Sequence, residues 1–154
     1  MRFREIMTEV TFTGSQSVQW GQRSNKRWDA FVDVGERQIG IMFNRTSGKA
    51  RQSAWRVDFL SRTDPETRGT VKETTTILNT VAAAVGEFLD TVQPVMLKMS
   101  PTGESREKLY RAVLKRMMPK IDHAYSLDER WYGTLFGEFE LTRKPDWLYS
   151  GWTT

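Results

Sequence analysis

A chain of 154 residues is long enough to bury a hydrophobic core without covalent staples, and it contains no cysteine, which excludes disulfides, thiolate metal sites and a thiol nucleophile. The 23 basic and 19 acidic residues leave a formal net charge of +4, which favours an acidic partner but is too mild to demonstrate nucleic-acid binding. No apolar run is long enough to cross a bilayer, and the N-terminal MRFREIMTEV carries charges where a signal peptide needs apolar residues, so a cytoplasmic protein with no membrane partner is expected.

To about Ser61 the chain alternates at the strand period: Val10 and Phe12, then Ala30, Val32 and Val34, then Ile39, Ile41 and Phe43, then Trp55, Val57 and Phe59. The pieces GSQS, GQRSNK, GER and NRTSGKARQS read as turns between neighbouring antiparallel strands, so the first half is expected to be a meander. After SRTDPETRG the period changes. Leu78, Val81, Ala82, Val85, Phe88, Leu89 and Val92 fall on one helix face, which predicts a long helix from about Thr70 to Thr91, ended by Pro94. Val95, Leu97 and Met99 alternate as a short strand before SPTGES turns the chain. A second helix follows, with Ser105 as its N-cap, Leu109, Val113, Leu114, Met117 and Ile121 as its buried stripe, and Pro119 expected to stop or kink it. From Tyr125 to Lys144 the alternation returns, with Trp131, Leu135, Phe139 and Leu141 in one phase, as a long final strand or a hairpin turning at LDER. No repeat, low-complexity tract or linker divides the chain, so residues 1–154 are expected to form a single domain of α/β (α+β) class, with an aromatic C-terminal tail at 145–154.

This order of strands, long helix, short strand, second helix and final strands resembles the core of the GNAT acyltransferases from Arg27 to Lys144. The resemblance implies a cofactor pyrophosphate at the N-terminus of the long helix, where RGTVKETTTILNTV runs from Arg68 to Val81, and it implies Tyr110 as the proton donor to a leaving thiolate. The chain is also similar to uncharacterised small proteins encoded by bacteriophages, through Thr80, Val81, Glu87, Phe88, Leu89 and Pro94 and through Ser105, Arg106, Leu109, Tyr110 and Arg116. A phosphate loop of the GNAT kind brings several backbone N–H groups to the pyrophosphate through closely spaced glycines, whereas Gly69 stands alone here. Gly14 to Trp28 is also too short and polar for the pair of helices that walls the acceptor pocket. The core therefore reads as a degenerate GNAT-like scaffold.

Each candidate site has a structural reading beside the functional one. Arg68 and Gly69 precede a helix and offer a guanidinium and free N–H groups to acetyl-CoA, or they are a solvated charge and a helix boundary. Tyr110 is the catalytic candidate, or a half-buried aromatic with its hydroxyl in water. His123, the only histidine, has no partners spaced for a metal, and none is expected. Arg23, Lys26 and Arg27 beside Trp28, and Arg45, Lys49 and Arg51 beside Trp55, form either a cationic edge for single-stranded nucleic acid or two charged hairpin loops whose tryptophans enter the core. Trp147, Leu148, Tyr149 and Trp152 crowd a short tail that must cover its own domain or dock on a partner. The expectation that follows is a non-catalytic, phage-encoded accessory protein, cytoplasmic in the host cell or associated with the virion. It would bind a host or phage protein or a second copy of itself. The alternatives are an acyl-CoA-dependent N-acyltransferase and a nucleic-acid-binding accessory protein.

Overall fold

The computed structural model describes residues 18–61, 71–100, 104–131 and 137–145. The expectations for Val10, Phe12, Leu135, Arg68, Gly69 and the aromatic tail lie outside them. The fold is mixed α+β. Strands β1 (Gln19–Arg23), β2 (Arg27–Val34), β3 (Arg37–Ser47) and β4 (Ala54–Ser61) pair antiparallel in chain order. Helix α1 (Val71–Val92) leads to β5 (Met96–Met99), which pairs parallel to β4; helix α2 (Glu104–Ile121) leads to the antiparallel pair β6 (Tyr125–Trp131) and β7 (Gly137–Arg143). β7 inserts between β5 and β6, so the seven-stranded sheet runs β1-β2-β3-β4-β5-β7-β6.

Alternation decides which face is covered. Val32, Ile41, Phe43, Trp55, Val57, Phe59, Leu97, Met99, Phe139 and Leu141 are all buried in one cluster with the apolar residues of both helices. Phe88 of α1 is the centre of the contact. Its ring stacks on Phe43 at 4.0 Å between centroids and meets Trp28 and Trp55 edge-on at 5.4 and 5.1 Å, so one helical side chain engages three adjacent strands.

Several expectations are corrected. GQRSNK is not a turn throughout, because Gln19–Arg23 forms β1, and LDER lies inside β6 rather than at a hairpin bend. β3 runs on to Ser47, which shortens the expected NRTSGKARQS turn to Gly48–Ser53 with a single 3₁₀ turn at Ala50–Gln52. α2 begins at Glu104, which puts Ser105 in its first turn instead of at the cap, and it continues past Pro119 to Ile121. Pro119 removes the one bond its N–H would have made to Lys115 O without ending the helix. Ile121 is fully buried, and the Asp122 N–H still reaches Met118 O at 2.9 Å.

α1 ends at Val92, and the next residue, Gln93, takes the left-handed region at φ 54° ahead of Pro94. The turn from α1 into β5 is then held on every side. Arg143 Nη1 donates to Gln93 O, the Tyr125 hydroxyl donates to Pro94 O at 2.8 Å, Val95 N donates to Ser53 O at 2.9 Å, and Arg143 N donates to Val95 O at 3.0 Å. Burial pushes the Tyr125 phenol well above its ordinary range, so it remains a donor. Replacing Tyr125 with Phe leaves Pro94 O buried without that donor, and an equilibrium denaturation series should show a loss of about 1–3 kcal/mol. Gln93→Gly removes the steric cost of a side chain at positive φ and should raise the denaturation midpoint, by up to about 1 kcal/mol in stability.

Candidate functional site

The β4–β5 pairing covers only Ala54 to Arg56 against Met96 to Lys98, although β4 runs on to Ser61. Beyond that point the β5 side of β4 needs another partner. Tyr110 of α2 supplies it for Phe59: the Phe59 N–H donates to the Tyr110 hydroxyl at 3.2 Å, and the two rings stack at 4.6 Å. Tyr110 is only 1% exposed. Its hydroxyl is therefore not in water, contrary to the plainer sequence reading. A general acid must reach the atom it protonates within hydrogen-bond distance, and this phenol is enclosed between a helix and a strand.

Several of the residues on which the expected resemblance to phage-encoded proteins rests have structural work of the same kind. Val81, Phe88 and Leu89 are core, and Thr80 bonds back to Thr76 O at 2.7 Å. Pro94 O receives Tyr125. Arg116 joins the helices, with Nε donating to Asn79 Oδ1 at 3.0 Å and Nη1 to Ala112 O at 3.2 Å. Glu87 accepts from the Trp20 indole at 3.1 Å and pairs with Arg23 at 3.4 Å, which ties the edge strand β1 to α1.

The two basic segments, distant in sequence, meet at one end of the sheet, where the Arg45 N–H donates to Lys26 O at 2.9 Å. Two of their cations are engaged within the fold. Arg23 lies over Trp20 and Trp28, 4.6 and 5.2 Å from the ring centroids, and Arg27 pairs with Asp29 at 3.3 Å. Trp28 and Trp55 are buried in the core, so neither is an open stacking platform. Lys26 and Lys49 are exposed. Arg51 lines a cleft of about 320 Å³ with Ser24, Asn25, Trp55 and Thr91, between the two loops and the last turn of α1.

That cleft, and the acidic partners Asp29 and Glu87, were missed by sequence reasoning. Glu87 alone carried a signal, because it belongs to the EFL segment of the resemblance. On the far side of the sheet the carboxylate of Glu140 is buried on β7 between Lys98 at 3.8 Å and Arg130 at 3.5 Å, one partner from each neighbouring strand. Among the described residues no three His, Cys, Asp or Glu side chains gather as metal ligands, and no helix is long and apolar enough to cross a membrane. No family model matches the chain, and no curated protein matches it.

His123 lies exposed in the turn after α2. Partial burial of its ring, reinforced by Lys144 and opposed by Asp122, lowers its proton affinity. An NMR titration of His123 should give a midpoint below the ordinary 6.5, and a midpoint above it would contradict this balance.

Proposed function

We propose that the protein is a binding module built on a degenerate GNAT-like core, a phage accessory protein of the host cytoplasm or virion that captures a host or phage protein or a second copy of itself. The observation that carries this reading is Tyr110. The residue that the GNAT resemblance would make the acid is enclosed in the core, with its hydroxyl taken up by the Phe59 N–H beside the short β4–β5 pairing. Support of a second kind comes from the resemblance motif, whose described residues hold helices, strands and turns together. The terminal aromatics Trp147, Leu148, Tyr149 and Trp152 give such a module apolar contact area at little cost in sequence length.

Tyr110→Phe and acetyl-CoA calorimetry test the reading together. Under the binding reading the variant loses about 1–3 kcal/mol of stability, because the Phe59 N–H is left without its acceptor, and neither protein gives heat with millimolar acetyl-CoA. Light scattering and partner capture with the full chain, and with a chain lacking residues 146–154, then locate the interface. Saturable acetyl-CoA binding together with acyl transfer that Tyr110→Phe abolishes would overturn the reading in favour of the N-acyltransferase.

A further inference from the structure

The cleft at the C-terminal end of α1 has the make-up of a ligand site, and it stands apart from the proposal above. At about 320 Å³ it reaches the lower end of the size range of small-molecule sites. Its lining is mostly apolar and includes the largely buried Trp55; among its polar members are Asn25, Thr91 and Arg51, whose Nε and Nη2 are buried. The flanking segments, Ser24 to Arg27 and Asn44 to Trp55, carry Lys26, Arg45 and Lys49 besides Arg51 and hold no carboxylate.

A helix C-terminus is a negative dipole end and by itself would turn an anion away. Here that end is answered from the sheet, because Arg143 donates to Gln93 O. Arg143 meets Gln93 O and Arg51 lines the cleft beside Thr91 and Val92, so two guanidiniums share this corner of the fold, and the proton affinity of Arg143 is lowered by burial, opposed by Tyr125 and further lowered by Arg51. Like charges held together beside a cleft favour a multiply charged anion over a neutral guest. The cleft lies at the opposite end of α1 from Val71, across a helix roughly 33 Å long.

We propose that this cleft binds a phosphate monoester, with Arg51 as the charge partner and with Lys26 and Lys49 on the exposed segments that flank it. The monoester comes either from a free nucleotide or from the phosphorylated end of a single strand. Calorimetry at low salt with AMP, with a 5′-phosphorylated single-stranded oligonucleotide and with the same strand lacking the phosphate separates the two sources.

The expected result is saturable binding of at least one phosphorylated probe, weakened by salt, and preferred over the unphosphorylated strand. Arg51→Gln should weaken it about tenfold or more. Asn25→Asp, in an exposed turn where folding is not at stake, should weaken it by a similar factor, and Lys115→Glu on the exposed side of α2 should leave it unchanged. Binding of AMP alone identifies a free nucleotide, and binding of the phosphorylated strand alone identifies a strand end. No saturable binding of either, equal binding of the unphosphorylated strand, or an affinity that Asn25→Asp leaves intact would overturn the proposal. If Arg51→Gln melts early, Asn25→Asp decides.

Discussion

The turn from α1 into β5 is the constraint on which the rest of the structure depends. A parallel strand cannot follow its neighbour through a tight turn, so the chain must leave β4, travel back along the sheet as a helix and re-enter beside the start of β4. The re-entry point is three residues long, and its backbone groups are bound from three directions: Ser53 ahead of β4, Tyr125 at the start of β6 and Arg143 at the end of β7. Two of those residues lie more than thirty positions later in the chain. The hairpin β6–β7 is thus not an appendage of the sheet, because its first and last side chains complete the end of α1, which has no basic residue of its own in its last turn.

With that end located, Phe88 falls on the rings of Trp28, Phe43 and Trp55, and the helix covers the strands of the meander. The second helix covers the other half and sends Tyr110 to the stretch of β4 that β5 leaves unpaired. Burial of aromatic area and satisfaction of backbone donors are met by the same side chains. Tyr125 and Tyr110 each bring a ring into the core and a hydroxyl to a main-chain group, where a phenylalanine would serve only the first need.

What could be read from the sequence follows the strength of the local period. Strands β2, β3 and β4 and both helices were legible, because each buries one clean face and their residues alternate or repeat accordingly. β1 was not, since an edge strand of the form QWGQR buries little beyond Trp20, and its glycine mimics a turn. Gly21 is there because Asp29 Oδ1, which accepts the Gln22 N–H, stands where a side chain would go. LDER was misread for a related reason: a strand with Asp128, Glu129 and Arg130 exposed has the composition of a bend. The candidate sites were less legible than the fold. The meeting of the two basic loops is set by strand register, the sequestering of Tyr110 by the short β4–β5 pairing, and the neutralisation of Arg23 and Arg27 by carboxylates that only folding brings near. None of these is a local property of the chain.

The two ends of the sheet are unlike its middle in one further respect. β1 is short, its register against β2 shifts between Trp20 and Arg23, and four of its five residues are exposed and polar or glycine. β6, at the opposite end, exposes Ser126, Asp128, Glu129 and Arg130 along its length. A strand arriving from another molecule would meet an interrupted ladder at one end and a row of charges at the other. Among the described residues, then, both edges of the sheet disfavour growth by strand addition, which works against its running on into a ribbon of copies.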